Sequence, residues 1–159
     1  MRTIYLSLLA ACILPFAACS VPSGVYEKDV TVPGQQWESG FRPQMDFIVK
    51  DEDTARPYNT YLVLRHTDAY NYNNIWINVT FRGPGDSTAR SRRFDLTLAT
   101  NDLGWNGTGM DDIYEHRLPL ELGIGFKRPG TYSFTIEQIM REDPLKHVLN
   151  VGIRVEAAK

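Results

Sequence analysis

Ile75-Trp76-Ile77-Asn78-Val79-Thr80-Phe81-Arg82 alternates without interruption: Ile75, Ile77, Val79 and Phe81 fall on one side of an extended chain, and Trp76, Asn78 and Thr80 on the other. Side chains on a strand change face at every residue, so this period of two marks a strand with one buried face. Gly83-Pro84-Gly85-Asp86 supplies the bent backbone that ends it. Downstream, Arg92–Thr100 places Phe94, Leu96 and Leu98 on one face. Tyr114–Phe126 follows, with an interruption expected at Pro119. After the Pro129-Gly130 turn, Thr131–Ile139 alternates Tyr132, Phe134 and Ile136, and Asn150–Glu156 directs Val151, Ile153 and Val155 inward. Upstream lie Tyr58–Thr67, Gln44–Lys50 and Val25–Val32, with a polar hairpin loop at Asp51–Pro57. Asp102–Asp112 is too glycine-rich for a ladder, and Met140–Leu149 contains a loop around Pro144. No window longer than two turns has a helical period, and no internal repeat stands out. About eight strands at this spacing predict an all-β fold: one antiparallel β-sandwich, jelly-roll-like.

The N-terminus reads differently. Met1-Arg2-Thr3 is a short basic start, and Ile4–Ala18 carries no charge. A spanning helix needs about 20 apolar residues, so this shorter run reads as a cleavable secretory signal. Phe16-Ala17-Ala18-Cys19 resembles a lipobox, the small-residue motif before a cysteine that receives a diacylglycerol, with Phe16 where leucine is usual. Leu9-Ala10-Ala11-Cys12 matches the motif letter for letter, but cleavage there leaves too short an apolar region and a greasy new terminus at Ile13-Leu14-Pro15-Phe16. Cys19 is therefore the expected lipid attachment, against an ordinary signal peptide in which neither cysteine is modified. The expected organisation is a signal peptide at 1–18, a lipidated tether at 19–24 and one sandwich domain at 25–159. Ser20 after the anchor, and no acidic run in Val21-Pro22-Ser23-Gly24, point to the outer membrane, facing the periplasm. Lipidation consumes the last thiol, so the domain is held by packing without a disulfide.

Charge and motifs narrow the chemistry. The chain of 159 residues has 17 Lys and Arg against 19 Asp and Glu, a near balance that argues against nucleic acid. His66, His116 and His147 lie on separate runs without metal-ligand spacing, and no Gly-x-Ser-x-Gly elbow is present. No catalytic residue, metal site or cofactor is therefore expected. Gly104-Trp105-Asn106-Gly107-Thr108-Gly109 lacks the lysine of a phosphate loop and reads as a tight surface loop with positive φ at its glycines. Asp111-Asp112 is a poor start for calcium, since neighbours on an extended chain point apart. A candidate binding surface gathers Arg65, His66, Tyr70, Tyr72, Trp76 and Trp105, whose rings and donors would suit a sugar. The plainer reading, that Tyr70 and Tyr72 cover the end of the sandwich, is favoured. Asp53-Thr54-Ala55 and Asp86-Ser87-Thr88 resemble bacterial O-glycosylation strings, with Thr54 and Ser87 as acceptors.

Several strings together carry a family resemblance. Leu64-Arg65-His66 precedes Tyr70-x-Tyr72-x-Asn74-Ile75-Trp76, and Gly104-Trp105-x-Gly107-x-Gly109 follows. Then come Pro129-Gly130-x-Tyr132-x-Phe134-x-Ile136-Glu137-Gln138-x-Met140-Arg141 and Val151-Gly152-Ile153-Arg154. In order and spacing the chain resembles the gliding-motility lipoprotein GldH family of the Bacteroidota. The resemblance implies a non-catalytic envelope lipoprotein linked to type IX secretion, with other gliding or secretion proteins and the membrane as partners. It supplies no catalytic residue and transfers only the lipid-bearing cysteine, Cys19. The alternative is a carbohydrate- or peptidoglycan-binding periplasmic lipoprotein; a hydrolase with a concealed site comes third.

Overall fold

The period-two runs fold as strands. The computed structural model describes residues 24–159, so the segment read as a signal peptide, Cys12, Cys19 and the expected tether before Gly24 lie outside the described residues. The strands are β1 (Val25–Thr31), β2 (Gln36–Trp37), β3 (Gln44–Val49), β4 (Pro57–Thr67), β5 (Asn74–Arg82), β6 (Arg90–Thr97), β7 (Ala99–Thr100), β8 (Gly104–Trp105), β9 (Thr108–Met110), β10 (Ile113–Gly125), β11 (Gly130–Gln138), β12 (Leu145–Lys146) and β13 (Val148–Ala157). One sheet has the order β1-β13-β4-β10-β9, and the other β3-β11-β5-β6. Their ladders are antiparallel throughout. Of the eight long strands, only β5 and β6 are consecutive neighbours within a sheet. Every other step crosses to the opposite sheet, which is the double Greek key of a jelly roll.

Alternation puts one face of each sheet inside. From the five-stranded sheet come Leu62, Leu64, Val151, Ile153 and Val155; from the four-stranded sheet come Ile75, Ile77, Val79, Phe134 and Ile136, all in one core. The faces expected for β5, β6, β11 and β13 are those observed. The outer face of the five-stranded sheet is ionic instead. Arg154 reaches Glu27 at 2.7 Å and Glu156 at 2.7 Å, while Arg117 reaches Glu115 at 2.9 Å and Glu27 at 3.2 Å. Partial burial works against the Glu27 carboxylate, but the two guanidiniums outweigh it and hold its pKa below the usual range.

Some boundaries differ from expectation for identifiable reasons. Pro119 does not break β10: it stays in register with Tyr61 of β4, β10 is an edge strand there, where proline is tolerated, and the register shifts just beyond it. The run Arg92–Thr100 divides at Leu98, whose N–H donates to the Asn73 carbonyl just before β5, at the end of the β5–β6 ladder (2.7 Å). The segment 102–112 is not free of ladder: β8 pairs with β7, and β9 with β10. β2 was unforeseen; it pairs with β12 inside the segment read as a loop around Pro144, and it buries Trp37, whose indole N–H donates to Phe41 O (2.8 Å).

The topology gives the molecule two poles. Gly24, the loop 50–56, the β5–β6 loop and the β10–β11 loop gather at one end, which we call the anchor pole. Thr67, Val148 and Ile113 end their strands at the other, the far pole. Ten residues of β4 at about 3.3 Å each separate the poles by roughly 33 Å.

At Gly152 a Cβ would lie 2.3 Å from the Lys28 carbonyl oxygen and 2.6 Å from the Asp29 Cα, both backbone atoms of β1. Gly152→Ala is therefore expected to destabilise the fold by about 1–3 kcal/mol through overpacking. Gly40→Ala, with no heavy atom within 4 Å, should be near neutral. Urea denaturation of both measures the contrast; equal midpoints would refute the steric account.

Candidate functional site

The six residues expected to share a binding surface converge on the far pole but not on one face. Arg65 and His66 are neighbours on β4, so the pleat sends them to opposite sides of the sheet. Arg65 turns outward, with Nε 3.8 Å from Glu115. His66 turns inward and is fully buried, and Tyr70 is buried to 4% exposure, so neither belongs to an outer surface. Their place is the closing layer of the core.

His66 is the centre of that layer. Its Nδ1 lies 2.7 Å from the Thr67 carbonyl, which can only accept, so Nδ1 carries the proton. Its Nε2 is then bare and accepts from Nε2–H of His116 on β10, at 2.9 Å. The ring centroids are 5.0 Å apart and the planes differ by 18°, so with this short contact the two imidazoles meet edge to edge in nearly one plane. Trp105 packs edge-on against His66 (4.4 Å), Tyr70 at 5.1 Å and Tyr114 at 5.9 Å. The Tyr70 hydroxyl donates to Asn74 O (3.1 Å), and burial raises its pKa well above the ordinary phenol value. Burial lowers the pKa of His66. Burial and then the charge His66 would carry lower His116 to about 4. Protonating His66 would also set two N–H groups head to head at 2.9 Å. This is a neutral, self-satisfied pair.

The sequence reading missed His116 as a partner of His66, and it misjudged two glycines. Only Gly104 of its loop has positive φ (67°); Gly107 and Gly109 do not. They are glycines because of close approach. A Cβ on Gly107 would lie 2.6 Å from Glu115 O and 2.9 Å from the His116 ring, and one on Gly109 would lie 2.9 Å from the Tyr114 ring. The parity of Tyr114, His116 and Leu118 on β10 was the available signal, since it places all three on the inner face.

The remaining residues are partly open. Trp76 is 42% exposed on the outer face of β5, and its backbone N–H donates to the Met140 thioether (3.2 Å). With Tyr72, Ile139, Met140 and Arg141 it lines a shallow depression of about 450 Å³. The half-buried Tyr72 donates to Glu142 Oε2 (2.8 Å) and stands edge-on to Tyr70 (5.8 Å). Trp105 is half-buried over the histidines. The glycan reading needed Tyr70, Tyr72 and Trp105 as a coplanar exposed platform; it keeps only Trp76 and the edge of Tyr72. Asp111 and Asp112 sit exposed in the β9–β10 turn, and among the described residues no three His, Cys, Asp or Glu side chains are grouped to hold a metal ion. Ser87 is exposed in the β5–β6 loop, while the Thr54 hydroxyl donates to Asp51 O (2.8 Å).

The histidine pair makes stability depend on pH with a defined sign. Unfolded histidines take up protons below about pH 6.5, whereas in the fold both do so at lower pH, His116 at about 4, so the unfolded state binds more protons in between. The contribution is full above pH 6.5 and is lost as pH falls toward 4, with a slope of up to about 1.4 kcal/mol per pH unit for each histidine. Denaturation midpoints across this window, with NMR titration of the His66 and His116 ring protons, test it. Both rings titrating near 6.5 would sink the assignment.

Comparison with known proteins gives a consistent picture. The GldH lipoprotein family model matches residues 24–155. The chain is similar to the gliding motility lipoprotein GldH of Flavobacterium johnsoniae, with 28% identity over 130 residues, covering 77% of this chain and 79% of that one. It is similar to the gliding motility lipoprotein GldH homolog of Christiangramia forsetii, with 24% identity over 120 residues, covering 70% and 73%. Among solved structures, a non-crystalline cellulose specific carbohydrate-binding module overlaps 84% of this chain and 73% of its own at 11% identity, with a TM-score of 0.46; so loose a match says nothing of a ligand. On the match over its whole sandwich, this chain belongs to the GldH lipoprotein family.

Proposed function

We propose that the protein is a lipid-anchored, non-catalytic interaction component of the gliding-motility and type IX secretion apparatus. Cys19 holds it to the periplasmic face of the outer membrane, and it meets its partners with the far pole. The relatives' names supply the process. The observation that carries the interaction role is the exposure of three large apolar side chains around that pole. Leu103 at the tip of the β7–β8 hairpin is 80% exposed, Met110 in the β9–β10 hairpin 72%, and Trp76 42%. Ile48 and Leu122 are exposed too, toward the anchor pole, so the far pole holds three of the five exposed large apolar side chains among the described residues; methionine and tryptophan are favoured in contact surfaces. Gly24 enters at the opposite pole, so a short tether leaves these residues pointing away from the bilayer.

The burial of the two central histidines fits a non-catalytic role. The His66–His116 pair is neutral, enclosed by Tyr70, Trp105 and Tyr114, and hydrogen-bonded to itself and to Thr67 O. Both rings are buried, which keeps them from a substrate in solution.

Affinity capture of the lipoprotein from detergent-solubilised envelopes, compared with a Leu103→Glu/Met110→Glu variant, tests the role. Both positions are exposed, so the variant should fold and anchor normally while recovering at least about tenfold less of its envelope partners. A variant that recovers the same partners in the same amounts would move the interface elsewhere. A wild-type protein that comes through alone would refute the proposal.

A further inference from the structure

The two long sides of the sandwich are closed differently. On one, β1 and β3 approach and Tyr26 packs against Phe47 (ring centroids 5.3 Å). On the other, among the described residues, β6 pairs only with β5, and β10 beyond Glu115 pairs only with β4, so two strand edges face each other unpaired. Between them a cleft of about 430 Å³ runs into the core, within the range of small-molecule sites. Its walls include Phe81, Phe94, Leu120, Ile124, Phe126 and Phe134. β10 is held away by its register shifts at Pro119/Glu121 and Glu121/Ile124, and by Gly123 at φ 69°, whose N–H donates to Asn59 Oδ1 (3.0 Å). The Thr60 hydroxyl on the cleft wall is spent: it donates to Glu121 O and accepts from Glu121 N–H, both at 3.1 Å.

The rim is charged. Arg92 reaches Glu121 across the mouth (2.9 Å) and lies 5.1 Å from the Phe94 ring. Arg90 lines the same mouth, and its charge also acts on Asp86, which Arg128 holds. Three arginines against two carboxylates leave an excess of one positive charge.

We propose that this cleft binds one long-chain fatty acid, with its acyl chain between the sheets and its carboxylate at Arg90 and Arg92. The side chains that reach into the core are aromatic and aliphatic, and the Thr60 hydroxyl among them is already paired, which suits a hydrocarbon rather than a sugar. Strand addition by a peptide is opposed by the edges themselves. β6 carries Arg90, Arg92 and Arg93, and β10 carries Pro119 and its bulges, the devices that blunt a sheet edge. An acyl chain needs no backbone hydrogen bonds and fills the space those edges leave. The rim supplies the counter-charge for an acid.

The chain from Ser20 onward keeps every strand of both sheets and is free of its own lipid. Titration of it with decanoate, myristate and palmitate below their micellar concentrations should show saturable one-to-one binding, tightening about fourfold per added methylene until the cleft is full. Amide shifts should concentrate on β6 and the second half of β10. The exposed Arg90→Gln should bind palmitate about tenfold more weakly yet hold hexadecanol as the wild type does. Ile124→Trp, which fills the cleft, should reduce both. Absence of saturable binding, affinity independent of chain length, or shifts centred on Trp76 would each overturn the proposal, whatever the capture experiment on the far pole returns.

Discussion

β13 is hydrogen-bonded on both sides, to β1 from Val25↔Glu156 to Thr31↔Asn150 and to β4 from His66↔Val148 to Tyr58↔Ala157. The first long strand and the third belong to one sheet only because the last one lies between them. Its inward side chains Val148, Val151, Ile153 and Val155 are buried without remainder. Gly152 lets β1 come close enough to pair, since no side chain fits between it and the Lys28 carbonyl. The β1–β13 ladder joins residues more than a hundred positions apart, so its contacts form only after a large loop closure. Non-local pairing of this kind makes for slow folding.

The outer face above this ladder shows how little of the stability is electrostatic. Glu27, Arg117, Glu115, Arg154 and Glu156 form a connected network, but its members are between roughly a quarter and a half exposed. Pairs in that setting contribute about 0–1 kcal/mol each. Their more definite effect is to cover the outer side of the sheet: Val63, which points outward from β4, is nevertheless buried. The other side of the same sheet contributes apolar side chains to the common core, where burial of area dominates.

The two poles and the two long sides divide the molecule by chemistry. The far pole is closed by aromatic rings and a neutral histidine pair, and beyond that layer it exposes isolated apolar tips. Nearer the anchor pole, the sandwich opens sideways between β6 and β10. A jelly roll has free edges, and this one closes one pair with an aromatic contact while leaving the other apart. The bulges of β10 produce that gap, and the arginines of β6 and the proline of β10 keep it from becoming a site of strand exchange.

The alternation of Ile75–Phe81, Tyr132–Ile136 and Val151–Val155 determined the strands, their buried faces and the sandwich, because side-chain period is a local property of extended backbone. The same parity already separated Arg65 from His66, although a cluster of suggestive residue types obscured it. What the tertiary structure alone decided are relations between distant segments. The Nε2 contact of His66 with His116 spans fifty positions, and the pairing of Trp37 with Leu145 joins two stretches with no strand signal of their own. The need for Gly107 and Gly109 arises from rings on a neighbouring strand rather than from their own φ. Local periodicity decides which way a side chain points; which partner it meets depends on how the sheets are ordered, and that order is settled only when β13 is in place.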